Sequence, residues 1–285
     1  MPDNHIANQF TGLGLRLVSG LVLAGVALGA VYAGGLWFTA LVCFIGLLMA
    51  REWPELCLAA AGTKPLWLKS PPFAALLFVA VAMAALAFLA LGRLYAGIVA
   101  AVLGALLIVI IARGPVWDRV LLALGLPYIA VPIAALLCLA AGPGGRNTLY
   151  WLLVVVCATD IGGYISGKMI GGPRLAPRLS PGKTWAGMIG GTMLAVVAAI
   201  AVGKVLGGDT GPSVVHLAFV GLAVSLAAQI GDLIESAVKR HFEVKDSGSI
   251  IPGHGGLFDR LDGLLAGTVV LAGLTTIKNM GFAWN

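Results

Sequence analysis

The sequence predicts an all-α, polytopic integral membrane protein of about nine transmembrane helices. Three observations predict it. Of the 285 residues 60% are hydrophobic and only 11% charged, the mean hydropathy is +1.00, and the apolar residues fall in continuous runs. So apolar a chain holds more than one soluble core could hide. In hydrocarbon only helices and closed barrels satisfy their own backbone, and barrel strands alternate apolar and polar residues over about ten positions. Continuous runs therefore select helices.

A span needs about 20 mostly apolar residues, and shorter runs extend into flanking polar turns. In chain order the candidates are 17–33, 36–50, 73–91, 94–112, 120–141, 149–165, 185–206, 214–233 and 264–277. The second, sixth and ninth are short, so their helices should continue beyond these limits. No small-residue cleavage site follows the first, which reads as a retained span rather than a signal peptide. Spans one to five occupy residues 1–148, and spans six to nine, with the polar loops that carry the chemistry, occupy 149–285. The two regions are read as one integrated membrane domain. Glycine pairs at GxxxG spacing (Gly163 with Gly167, Gly187 with Gly191, Gly263 with Gly267) would let helices approach closely, although 40 glycines also produce such pairs by chance.

The net charge of +6 does not indicate a nucleic-acid partner, because the basic residues are dispersed between apolar runs. Anionic lipid headgroups or phosphate substrates suit it better. Cys43, Cys57, Cys138 and Cys157 form no CxxC pair, which argues against a zinc site or a disulfide framework and for apolar packing.

Basic residues fix the orientation, since positively charged loops stay on the cytoplasmic side. With nine spans, one side receives Arg16, Arg51, Lys64, Lys69, Arg113, Arg119, Lys168, Arg174, Arg178, Lys183, Lys239, Arg240, Lys245 and Arg260. The other receives only Arg93, Arg146, Lys204 and Lys278. The first side, with 14 of the 18 basic residues, is assigned to the cytoplasm.

Ionisable residues at membrane depth are costly and mark functional paths or sites. Asp160, near the end of the sixth span, and Asp232, near the end of the eighth, both lie toward the cytoplasmic side. Asp246, Asp259 and Asp262 follow on that side, and the spacing of the last two puts both carboxylates on one face if the ninth helix begins there. Carboxylates gathered at one point repel unless a cation joins them, and Mg²⁺ takes one or two carboxylates together with water and substrate phosphates. Lys239, Arg240, Lys245 and Arg260 could hold phosphate oxygens. Glu235, four residues before Lys239, reads as half of an exposed helix-surface pair. His254, set among glycines, is a candidate phosphate donor or acid/base.

The segment 171–185 is a basic loop rich in glycine and proline, and Gly182-Lys183-Thr184 within it is no Walker A loop, because Pro177 stands where that template needs glycine. Lys183 at a helix start could still hold a nucleotide phosphate.

The 27-residue stretch from Ser236 to Asp262, with its Lys239-Arg240, Lys245-Asp246, His254-Gly255-Gly256 and Asp259-Arg260-Leu261-Asp262 elements, resembles the signature of the phosphatidate cytidylyltransferases, or CDP-diacylglycerol synthases. The resemblance extends to 231–236, to Ser180-Pro181-Gly182-Lys183-Thr184-Trp185 and to 159–164. Before about Leu149 it is similar only as a pattern of spans. Where many relatives carry lysine and glutamate, this chain has Gly182 and Ala186, so no role carries over to those two positions. The resemblance implies attack of a phosphatidate phosphate on the α-phosphorus of CTP, giving CDP-diacylglycerol and pyrophosphate, with Mg²⁺ required and a second cation compatible. It implies Asp232, Asp259 and Asp262 as the metal site, supported by Asp160 and Asp246. Lys239 and His254 join the first three as catalytic candidates, and Ser180, Lys183, Lys239, Arg240, Lys245 and Arg260 are the substrate contacts. It places the enzyme in the cell inner membrane, its site on the cytoplasmic face, with lipid tails entering between helices and a homodimer as the candidate assembly. A transporter and a CTP-dependent lipid-alcohol kinase are the alternatives.

Overall fold

A computed structural model of the chain describes residues 20–58, 73–208, 211–248, 250 and 255–277. His254 and the basic residues Arg16, Lys64, Lys69 and Lys278 lie outside the described residues. The elements are α1 (Gly20–Ala33), α2 (Gly35–Leu58), α3 (Phe73–Ala90), α4 (Leu94–Ile111), α5 (Val116–Ala141), α6 (Gly145–Met169), β1 (Arg174–Ala176), β2 (Ser180–Thr184), α7 (Trp185–Gly207), α8 (Val214–His241) and α9 (Phe258–Thr276). Among the described residues the fold is all-α apart from one short hairpin. Seven helices, α2 to α8, are long and apolar enough to cross a membrane, while α1 is shorter and α9 opens on charged residues.

Each of the three short candidates continues into polar sequence. Helix α2 runs past Arg51 and Glu52 and contains Pro54, α6 gains a turn at each end, and α9 begins at Phe258, so that Asp259 and Asp262 belong to its first turns. In lipid a helix continues wherever neighbours can satisfy its polar side chains, which apolar run length does not record.

The closest helix contact joins α6 to α7 through backbone. A Cβ on Gly187 would fall 2.8 Å from Gly163 O, one on Gly191 2.6 Å from Thr159 O, and one on Gly162 2.9 Å from Gly190 O. Helices in lipid associate through such packing rather than through exclusion of water, so the first two glycine pairs of the sequence are contacts rather than coincidence. Helix α8 joins this pair through polar contacts: Thr159 Oγ1 on α6 lies 3.0 Å from Ser225 Oγ on α8, and Gln229 Nε2 on α8 donates to Thr192 Oγ1 on α7 at 2.9 Å.

The segment expected as a basic loop rich in glycine and proline contains an antiparallel hairpin, pairing Arg174 with Thr184 and Ala176 with Ser180. Gly171 and Gly172, at φ +67° and +90°, make the turn out of α6 that L side chains resist. Pro181 is tolerated because a two-stranded ribbon leaves an edge free. Thr184 then caps α7, its Oγ1 accepting from Gly187 N at 3.0 Å. Across the bundle, Trp53 on α2 donates its indole N–H to Leu121 O and Leu122 O on α5, at 3.1 and 3.2 Å. Trp53, Tyr128 and Phe258 stack with centroids 5.1 to 5.8 Å apart, tying α2 and α5 to the start of α9.

Candidate active site

The hairpin and the ends of α6, α7 and α8 enclose a cleft of about 450 Å³. Asp160 on α6, Lys183 on β2, and Gln229 and Asp232 on α8 line it, with Lys168 and Arg174 beside them. Lys183 Nζ lies 2.5 Å from Asp232 Oδ2, and Ser236 Oγ donates to Asp232 Oδ1 at 3.4 Å. Asp232 stands nine residues before the end of α8, which is about 13 Å at the α-helical rise. The cleft is thus a polar opening sunk into one end of an apolar bundle.

Behind Asp232 the carboxylates gather. One oxygen from each of Asp232, Glu235 and Asp262 lies within 4.8 Å of the other two. Asp262 Oδ1 accepts from Gly263 N at 2.8 Å. Glu235 is only 2% exposed, and while its Oε2 meets Lys239 Nζ at 2.7 Å, its Oε1 is buried with no hydrogen-bond partner. A buried acceptor left unsatisfied beside two further carboxylates is what a hard cation would correct, since Mg²⁺ and Ca²⁺ take oxygen ligands. The donor set fits a divalent cation.

Lys239 bridges this group to a second one. Its ammonium also lies 2.6 Å from Asp259 Oδ1, so it stands between a buried carboxylate and a half-buried one. The other Asp259 oxygen accepts from Ser247 N at 2.9 Å, Ser247 Oγ at 3.1 Å and Gly256 N at 3.0 Å. Asp259 therefore ties Ser247, after α8, to Gly256, before α9.

The cytidylyltransferase family profile matches residues 14–277. A protein of Brucella suis biovar 1 (strain 1330) named phosphatidate cytidylyltransferase is 38% identical over 264 residues, 92% of each chain. The chain belongs to the cytidylyltransferase family. Two more relatives of that name come from Bacillus subtilis (strain 168), 42% identical over 42% of this chain and 44% of its own, and Mycobacterium leprae (strain TN), 40% identical over 55% and 49%.

Within this cytidylyltransferase-family chain the candidates named from sequence separate into groups. Asp160, Lys183 and Asp232 meet at the cleft, and Asp262 joins Asp232 from α9. Glu235 requires correction: the i, i+4 pair with Lys239 exists, but it is buried and Glu235 belongs to the acidic group. Asp259, expected beside Asp232 and Asp262, is instead taken up by Lys239 and by loop donors. Arg240 donates to the backbone carbonyls of Leu179 and Val244, tying the hairpin to α8. Ser180 opens β2, and Lys245, Asp246 and Arg260 are exposed beyond the cleft lining.

One residue had no place in the sequence reading. Glu52, on α2, is fully buried and accepts from Leu257 N at 2.8 Å and Phe258 N at 3.0 Å, at the start of α9. The available signal was an acid at the end of an apolar run, the same signal that singled out Asp160 and Asp232.

Proposed function

We propose that this chain transfers the cytidylyl group of CTP to phosphatidate, releasing pyrophosphate and forming CDP-diacylglycerol in the membrane. The observation that carries this reading is the three-carboxylate group of Asp232, Glu235 and Asp262, with its unsatisfied Glu235 oxygen, beside a cleft that presents Lys183. The family membership and the names of its relatives supply the substrates.

The attacking group is a phosphate monoester, whose second pKa is about 6. It is already ionised near neutral pH, so no side chain need take a proton from it. One P–O bond forms between a phosphatidate oxygen and the α-phosphorus of CTP, and the bond to the β-phosphate breaks. Both reactants are anionic, so the work of the site is positioning and charge neutralisation. Lys183 is suited to a nucleotide phosphate, being near the N-terminus of α7, where free N–H groups also favour anions. Asp232, Glu235 and Asp262 would hold Mg²⁺, which supplies neutralising charge on phosphoryl oxygens when bound. Asp160, which also lines the cleft, supports that field. Lys239 and Asp259 set Glu235 and the loop in place rather than meeting substrate.

Purified protein in detergent with phosphatidate and each of the four ribonucleoside triphosphates tests the reading. CTP should give a CDP-lipid with equimolar pyrophosphate, whereas a transporter would need sealed vesicles. Folded protein yielding no nucleotidyl-lipid would overturn it.

The same reading faces the cleft toward the cytoplasm, at the end of the bundle that carries most of the basic residues. In a cysteine-free background, a cysteine at the exposed position Pro143 should react with an impermeant reagent added to intact cells, and one at Gly182 only after permeabilisation. Labelling of Gly182→Cys from outside would reverse the topology.

A further inference from the structure

The first turn of α9 has no side-chain cap of its own: its N-cap is Leu257, which can accept nothing from the free N–H groups. The acceptor comes from about 200 positions earlier in the chain. Glu52 Oε2 takes Leu257 N at 2.8 Å and Phe258 N at 3.0 Å, and Oε1 takes Leu257 N at 3.0 Å. Two glycines in the signature stretch face the same carboxylate. A Cβ on Gly248 would collide with the Glu52 side chain, whose Oε1, Cδ and Cγ are its three nearest atoms, and one on Gly256 would meet Ser247 Oγ and Glu52 Oε1. Next along α2, Trp53 packs on Phe258 at 5.1 Å. Asp262 stands one turn after Phe258 on the same helix, so whatever fixes Phe258 fixes the height and rotation at which Asp262 meets Asp232 and Glu235.

We propose that Glu52 is a positioning residue for the carboxylate group: it replaces the missing cap of α9 and, with Gly248 leaving room for it, sets where Asp262 stands. The inference rests on the cytidylyltransfer reading for its activity readout. An anionic acceptor at a helix N-terminus holds both the amides and the helix dipole. Displacement of a reacting constellation by about 1 Å can cost roughly a hundredfold in rate.

The test uses Glu52→Ala, Glu52→Gln, Gly248→Ala and the Glu52→Ala/Gly248→Ala double variant of the full chain, each purified and checked by melting curve. Glu52→Ala should lower kcat by about ten- to a hundredfold and raise the Mg²⁺ concentration for half-maximal rate, with the KM for CTP near its wild-type value. Glu52→Gln, which keeps an acceptor for both amides, should recover most of the loss. Gly248→Ala should be impaired alone yet add nothing to Glu52→Ala, because the atoms its Cβ meets are gone. Hydrogen exchange over residues 256–262 should quicken in Glu52→Ala and return toward wild type in Glu52→Gln. A folded Glu52→Ala protein with wild-type kcat and Mg²⁺ dependence, or additive losses in the double variant, would overturn the inference. If the wild-type protein itself forms no CDP-lipid, the functional reading fails and the exchange measurement still decides: unchanged exchange in Glu52→Ala sinks the role of Glu52.

Discussion

Asp262→Asn is expected to lower turnover by about 10²- to 10³-fold while leaving the protein folded. Asparagine keeps the volume of the side chain and an oxygen to accept from Gly263 N, but it removes one of three charges facing a single point. Glu235→Gln should lose activity to a similar extent, because Glu235 offers the one buried oxygen of that group that has no partner. Turnover measured against Mg²⁺ concentration, with a melting curve for each variant, checks both. Near-normal turnover and Mg²⁺ dependence in both variants would move the cation site elsewhere.

Lys239→Met should be the most destabilising change among these residues, by about 3–5 kcal/mol. Lys239 is 13% exposed, between a carboxylate 2% exposed and another 11% exposed, at 2.7 and 2.6 Å. Removing it leaves the buried Glu235 without its ionic partner and Asp259 with only its loop donors, which costs more than the pairs contributed while intact. Arg113→Met, at an exposed position, should fall within about 0.5 kcal/mol of wild type. Denaturant unfolding in detergent measures the difference; equal stability of the two variants would mean that Lys239 is solvated rather than buried.

The helices were legible because apolar runs in lipid leave the backbone no other arrangement. Their ends were not, since α2 and α9 continue through charged residues whose partners come from elsewhere in the bundle. Asp160 and Asp232 were legible because a charge where hydrocarbon is expected has to be explained, and Asp262 through its three-residue spacing from Asp259 in the segment that follows. Glu235 was misjudged because an i, i+4 spacing to lysine is identical on a solvated helix face and in an interface. What distinguishes them is the packing of α9 on α8, which no local pattern contains. Glu52 and the start of α9 are joined by backbone N–H groups, so the later segment carries no side-chain signal of the contact. The hairpin 174–184 has three prolines nearby and no alternation, and its pairing depends on Arg240 and on the exit turn from α6.

In the proposed reaction a cytidylyl group, and not the terminal phosphoryl group, reaches the lipid. Purified protein given phosphatidate and CTP labelled with ³²P at either the α- or the γ-phosphorus tests it directly. Label should enter the lipid from α-labelled CTP and pyrophosphate from γ-labelled CTP. Lipid labelled from γ-labelled CTP, with release of CDP, would make the protein a lipid kinase and not a cytidylyltransferase.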